Sequence, residues 1–178
     1  MTLTDRLQHC IREVPDFPIE GVLFKDISPI FLDPQLVRDC ATELADRWRD
    51  QGITKIVGID SRGFLFGPQM AGKLEAGFVL VRKKGKLPPE TIGIDYDLEY
   101  GSASLEVNKG GIQAGDRVII HDDLLATGGT AGAAAALAHK LGAIVVGFSF
   151  LVELSFLKGQ EKISSYSPEI HSLIGFDK

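Results

Sequence analysis

Residues Val118–Thr130 read VIIHDDLLATGGT. A short apolar run ends in His121 and two adjacent aspartates, Asp122 and Asp123, and a turn-prone ATGGT then opens into AGAAAALAHKL. A buried strand that runs through glycines into a helix is a βα unit, and open α/β sheets bind ligands beyond the carboxyl ends of such strands. The amides of Ala126, Thr127, Gly128, Gly129 and Thr130 lead into the helix start, where unpaired N–H groups and the positive helix end attract an anion. The glycines let a phosphate approach the backbone, and Thr127 and Thr130 add hydroxyl donors. The loop is expected to hold a phosphate monoester.

Carboxylates beside that loop repel a phosphate. Asp122 and Asp123 make sense if the ligand carries hydroxyls beyond its phosphate or if a cation is shared, and a ribose 5-phosphate meets both conditions. The competing reading is an Asp-Asp pair that caps a turn or a helix. Two other phosphate loops do not fit: a P-loop needs a lysine after its last glycine where this chain has GGT, and a dinucleotide site needs GxGxxG at a strand end. Neither a nucleoside triphosphate nor NAD is indicated.

The βα order recurs on both sides. Upstream, KIVGID is a strand-length apolar run, SRGFLFGPQMAGKLEAG a turn plus helix, and FVLVRK the next strand; downstream, a helix from about Gly128 to Leu141 leads to the strand AIVVGFSFLVEL. Unbroken apolar strands between helices predict an open, doubly wound, mainly parallel α/β sheet flanked by helices. Between the halves, KKGKLPPETIGIDYDLEYGSASLEVNKGGIQAGD is rich in glycine, proline and charge, and YDLEYG with ASLEV reads as a hairpin. A long loop of this kind, residues 84–110, is expected to be a flexible lid. At the other end, PDFPIEGVLFKDISPIFLDP is proline-punctuated and extended, and residues 1–34 are expected to form a small hood. Asp33-Pro34 starts a helix through QLVRDCATELADRWRD, with Leu36, Val37, Cys40, Leu44 and Trp48 at helical spacing and Gly52 beyond its end.

At 178 residues and 44% hydrophobic composition, the chain reads as one domain, 1–178. Its net charge of -5 argues against a nucleic-acid-binding surface, so anion binding should be local. Cys10 and Cys40 lack metal-ligand spacing and read as reduced thiols of a cytoplasmic protein. MTLTDRLQHCIREV carries Asp5, Arg6, Arg12 and Glu13, lacks a signal-peptide core and reads as a short amphipathic helix. The longest uncharged run, Leu124 to Ala138, falls short of the roughly 18 apolar residues that span a bilayer, so no membrane partner is expected.

Six motifs, in the order FPIEGVLFKDISP, GIDSRGFLFG, RKKGKLP, YDLEYG with SLEV, VIIHDDLLATGGT and LVELSFLKG, resemble those of the type I phosphoribosyltransferases. The DDLLATGGT form resembles the adenine phosphoribosyltransferases among them, and the likeness runs from about Pro15 to Gly159. It implies that the chain transfers 5-phosphoribosyl from phosphoribosyl pyrophosphate to adenine, giving AMP and pyrophosphate in purine salvage. It also implies a homodimer and a Mg²⁺ held mainly through the substrate, with no metal ligand assigned to the protein.

The resemblance assigns roles residue by residue. Asp122 and Asp123 would hold the ribose hydroxyls, and Ala126, Thr127, Gly128, Gly129 and Thr130 the 5-phosphate. Ser61 and Arg62 would approach base and pyrophosphate, and Arg82, Lys83 and Lys86 would face pyrophosphate. Val22, Leu23, Phe24 and Lys25 would close over the adenine with Leu154 opposite, the backbone reading the base edge. Glu99 and Tyr100 would be the catalytic pair on the lid.

Chemistry supports these roles independently. Loss of pyrophosphate builds negative charge on the leaving group, so cations must meet it, and Arg82, Lys83, Lys84 and Lys86 are the densest basic cluster in the chain. Glu99 would take the proton that adenine loses, a role typically worth about 10²- to 10⁴-fold. Plainer readings stay open: RKKGK as a solvated loop end, Glu99 as a surface carboxylate, Phe24, Phe64 and Phe66 as core, with Phe24 the best placed to stack on a purine. Three letters depart from the family pattern: Glu20 for proline, Lys25 for arginine, and His121 for an apolar residue that either packs or contacts the aspartates. Two other functions also remain, transfer to a different base and a non-catalytic sensor of phosphoribosyl pyrophosphate.

Overall fold

The computed structural model describes residues 1–97 and 102–178, and Glu99 and Tyr100 lie outside the described residues. Thr2 and Asp5 form a reciprocal capping box at the start of helix α1, Leu3–Cys10. Strands β1, Arg12–Val14, and β2, Phe24–Asp26, then pair antiparallel as a separate two-stranded ribbon. A 3₁₀ turn at Ser28–Leu32 leads to Asp33, whose Oδ1 accepts from the amides of Gln35 and Leu36 and so starts helix α2, Pro34–Asp46.

The sequence predicts α2 to run on to about residue 50, and the structure ends it at Asp46. Trp48 is nevertheless 1% exposed, because the turns that follow drop its ring against the backbone of Gly147, where a Cβ would lie 2.4 Å from it. Helical spacing placed the ring on the buried side; packing, with no helix under it, keeps it there.

The remaining strands are β3, Lys55–Ile59; β4, Gly77–Lys83; β5, Thr91–Asp97; β6, Ser102–Asn108; β7, Arg117–Leu125; β8, Ile144–Leu154; and β9, Ile170–Phe176. They form one seven-stranded sheet in the order β5-β6-β4-β3-β7-β8-β9. The run from β4 to β9 is parallel, while β6 pairs antiparallel with β4 and β5 with β6. The connecting helices are α3, Gly67–Lys73; α4, Gly129–Lys140; and α5, Gly159–Ile163.

One core, on the face carrying Cys40, Leu44 and Trp48, packs α1, α2 and α3 against Ile56, Ile119 and Leu151. The other packs α4 and α5 against Val57, Val118, Ile120, Phe148 and Phe150. Alternate residues of β7 therefore serve opposite cores, which is the signature of a strand buried on both faces. Helix α4 lies close on the sheet because its contact residues are small: Ala131, Gly132, Ala133, Ala134, Ala135 and Ala138 are all buried.

The hairpin expected over YDLEYG and ASLEV is longer and shifted. Its first strand is TIGIDYD, Thr91–Asp97, whose ladder with Ser102–Asn108 continues the main sheet at its edge. The strand β9 escapes the sequence reading altogether. Its IHSLIGF interrupts the apolar pattern with His171, Ser172 and Gly175, and among the described residues its pairing is the parallel one to β8.

Candidate active site

Strand order reverses between β3 and β7: the chain leaves β3 toward β4 on one side and β7 toward β8 on the other. A crevice opens at such a switch point beyond the carboxyl ends of the strands. The end of β3 carries Asp60, Ser61 and Arg62; the end of β7 carries Asp122 and Asp123. Gly63 makes the approach possible, since a Cβ there would stand 2.8 Å from the His121 carbonyl oxygen and 3.2 Å from Asp122 Cα.

After Leu125 the chain turns through Ala126 and Thr127 to Gly128, which adopts φ +79° and opens α4. Its N-cap residue makes no side-chain cap and its first turn holds no acid, so among the described residues no cap or first-turn carboxylate competes with an anion for its first amides. A cavity of about 90 Å³ is lined by Asp122 and by Leu124–Ala131. The ring of residues predicted to hold a phosphate is thus assembled around one space.

The loop is braced from behind by the start of α5. A Cβ on Gly159 would lie 2.2 Å from the Ala126 carbonyl oxygen and 3.1 Å from the Gly128 nitrogen; one on Gly128 would lie 2.6 Å from the Gly159 carbonyl oxygen. One turn on, Lys162 brings its ammonium to 3.7 Å from the Cβ position of Gly129. Sequence reasoning missed both contacts; the KG of LVELSFLKG was the only trace of them.

Asp123 is buried and Asp122 partly so. Burial raises the Asp122 carboxyl well above the ordinary range, and the neighbouring Asp123 charge adds to it. Burial also raises Asp123, opposed by the guanidinium of Arg62, whose Nε stands 3.1 Å from Asp123 Oδ2. That contact is an ion pair without a directed hydrogen bond, and Oδ2 has no hydrogen-bond partner among the described residues. Asp122 Oδ1 accepts from the Asp123 amide at 2.8 Å. The pair is short of hydrogen-bond donors, as a site for sugar hydroxyls should be.

His121 packs and does not touch the aspartates with a hydrogen bond. Its ring is fully buried, Nδ1 donates to the Ser149 carbonyl oxygen at 3.0 Å, and burial lowers its pKa to about 4. It is therefore neutral, with its proton on Nδ1.

The second cavity, about 390 Å³, is walled by Val14, Phe17, Phe24, Ile27 and Arg62, with Arg12, Asp26 and Ser28 as its polar edge. Phe17 meets Phe24 edge-on at 5.1 Å, and the Arg62 guanidinium lies 5.3 Å from the Phe24 ring. Arg12 donates to Asp26 at 2.6 Å. Of the residues predicted for adenine, Phe24 lines this cavity. Val22 and Leu23 lie exposed on the preceding turn, which the Phe17 amide closes by donating to the Val22 carbonyl oxygen at 3.2 Å. Lys25 turns inward, and Leu154 ends β8 without lining the cavity. Phe64 meets Phe78 and Phe66 meets Phe31, both as packing residues. Arg12 and Asp26 were not anticipated, because the ribbon pairing that joins them is invisible to local periodicity, and neither was Phe17, whose ring meets Phe24 from the connecting segment.

Arg62 therefore reaches from the aromatic cavity to the carboxylate pair, its guanidinium near the Phe24 ring on one side and Asp123 on the other. The basic cluster lies at the end of β4, the strand paired with β3. Arg82 is tied down, its Nε donating to Asp60 Oδ2 at 2.9 Å and a terminal nitrogen to the Lys86 carbonyl oxygen at 3.0 Å. Lys83 and Lys86 are exposed, with no ion pair among the described residues. No group of three or more His, Cys, Asp or Glu side chains forms a metal cage among the described residues. A Mg²⁺ carried by a diphosphate fits this donor set, since such an ion takes one or two carboxylates and fills the rest of its shell with phosphate oxygens and water.

A phosphoribosyl transferase domain model matches residues 29–174. The adenine phosphoribosyltransferase of Anaeromyxobacter dehalogenans (strain 2CP-C) is 48% identical over 174 residues, covering 98% of this chain and 100% of that one. The crystal structure of adenine phosphoribosyltransferase from Rhodothermus marinus superposes with a TM-score of 0.92 at 45% identity, covering 98% of each chain. The Saccharomyces cerevisiae enzyme, solved with an imino-altritol bisphosphate and adenine, superposes with a TM-score of 0.88 at 42% identity, over 96% of this chain and 98% of that one.

Proposed function

The chain belongs to the phosphoribosyl transferase family, in its adenine phosphoribosyltransferase branch, and from that premise we propose how its residues share the work. The enzyme transfers 5-phosphoribosyl from phosphoribosyl pyrophosphate to adenine and releases AMP and pyrophosphate, a pentosyl transfer of purine salvage. The observation that carries the division of labour is Arg62, which spans the aromatic cavity and the carboxylate pair.

The 5-phosphate sits on the amides of Ala126–Thr130 with the Thr127 and Thr130 hydroxyls, its charge met by the start of α4. The ribose hydroxyls pair with Asp122 and Asp123 and supply the hydrogen bonds that these carboxyls lack. Adenine enters against Phe24, with the backbone of Val22–Lys25 along its edge and Leu154 from the other side. The Arg62 guanidinium leaves the Phe24 face as the base arrives and turns, with Ser61, toward the pyrophosphate. Lys83 and Lys86 meet the same leaving group, on a turn that Arg82 braces through Asp60.

When bound, Mg²⁺ neutralises part of the diphosphate charge and favours its departure. The ring nitrogen of adenine then bonds to the anomeric carbon as the bond to pyrophosphate breaks, and Glu99, with Tyr100 beside it, takes the proton. Residues 84–110 act as a lid and 1–34 as a hood over one domain, keeping water from the activated sugar. The reading includes a cytoplasmic homodimer, supported by the free thiols of Cys10 and Cys40 and by the family likeness. Light scattering at micromolar concentration checks the dimer.

The decisive assay incubates the chain with phosphoribosyl pyrophosphate, Mg²⁺ and, in turn, adenine, hypoxanthine, guanine, xanthine, uracil and orotate. AMP from adenine, with no nucleotide from the others, is the expected result. Turnover of another base moves the specificity, and turnover of none would sink the reading.

A further inference from the structure

Lys25 is 2% exposed, and a buried ammonium is costly unless it is paired. It lies opposite Glu13 in the β1–β2 ladder, and its ammonium pairs with Glu13 Oε1. The Glu13 side chain is 54% exposed, so water screens much of that attraction. The other neighbour is an aromatic face: Nζ stands 4.1 Å from the ring centroid of Phe176, which is itself buried. A cation over a desolvated ring is held by the ring's quadrupole.

Phe176 closes β9, and its ladder partner is Leu154, the end of β8. The ring thus touches the ribbon that carries Phe24 and neighbours the residue assigned to the far side of the base. The ribbon needs such an anchor. Its strands are three residues each, they form a sheet of their own, and a short two-stranded piece is marginal without outside packing.

We propose that Phe176 and Lys25 are positioning residues for the adenine site: the C-terminal strand, through the Phe176 ring and the Lys25 ammonium, sets how far the Phe24 ribbon stands from Leu154. This rests on the adenine phosphoribosyltransferase reading and adds to it a determinant of base affinity that lies beyond the base itself. The Lys25 side chain does not meet the purine; it holds the strand whose backbone does.

Phe176→Leu removes the ring face, Lys25→Met removes the charge while keeping the stem, and Phe176→Tyr keeps a cation-binding face. Steady-state kinetics with adenine and with phosphoribosyl pyrophosphate varied separately should show Phe176→Leu and Lys25→Met each raising the adenine KM by about 3- to 10-fold, with the other KM within about twofold. The double variant should be no worse than either single one, and Phe176→Tyr should stay near wild type. Thermal melts identify a variant that has lost its fold; if Phe176→Leu does, Lys25→Met at the other end of the contact decides. Unchanged adenine KM, equal rises in both KM values, or multiplying effects in the double variant would overturn the proposal. A wild-type chain that forms no AMP sinks the functional reading and this inference together, whereas an active wild type with silent variants sinks the inference alone.

Discussion

The carbonyl oxygen of Ala126 occupies the space where a side chain on Gly159 would begin, 2.2 Å from the Cβ position. A loop built to bind phosphate through its own amides has its opposite side pressed on another backbone, so its shape depends on a residue more than thirty positions downstream. Gly159→Ala should push Ala126 and Gly128 apart, weakening AMP binding at least tenfold and lowering stability by about 1–3 kcal/mol, as overpacking does. Calorimetric titration with AMP beside urea unfolding measures both, and unchanged AMP affinity would show that the brace does not shape the loop.

Asp122 pays in stability for its place in the site. Its folded pKa is raised, so ionised Asp122 destabilises the ligand-free fold above that pKa, and stability is regained as pH falls through it. Asp122→Asn should raise Tm at pH 7.5 by about 2–4 °C, corresponding to about 1 kcal/mol in a chain of this size. The same change should raise the KM for phosphoribosyl pyrophosphate. A lower Tm for the variant contradicts the burial argument.

His121 has the opposite sign of charge and the opposite dependence. Its folded pKa of about 4 lies below its ordinary 6.5, so between those values the unfolded chain takes up a proton that the folded one refuses. Stability should fall as pH drops through this window, by up to about 1.4 kcal/mol per unit and about 3 kcal/mol in all. Half-buried His171, one strand over from Ser149, is also lowered and contributes in the same direction, whereas Asp122 and Asp123 oppose it. His121→Val should flatten the urea-unfolding profile between pH 6.5 and 4; an unaltered slope would mean that the ring titrates normally.

Glu99→Ala should lower turnover by about 10²- to 10⁴-fold while leaving AMP affinity within a few-fold, the expected pattern for a residue that acts on a proton. Single-turnover kinetics isolate the chemical step, and near-wild-type rates there would remove Glu99 from the mechanism.

Much of this was legible along the chain because it is local. VIIHDDLLATGGT declares strand, turn and helix within thirteen residues, since apolar continuity, glycine and the need for uncapped amides all act between neighbours. Asp33-Pro34 likewise announces α2. The same locality explains the misses: α2 stops at Asp46 while Trp48 stays buried, the hairpin begins at Thr91, and β9 exists only beside β8.

Neighbouring residues alone carry a βα fold, a phosphate loop beside a carboxylate pair, and the family likeness that points to adenine. Packing between elements settled that the Arg62 guanidinium reaches from Phe24 to Asp123, that Gly159 seats the loop, that Lys25 turns inward to Phe176, and that His121 bonds to Ser149 and leaves the aspartates alone. Each of these joins residues from different elements, and such a contact is set by how elements pack, which no periodicity within one element records.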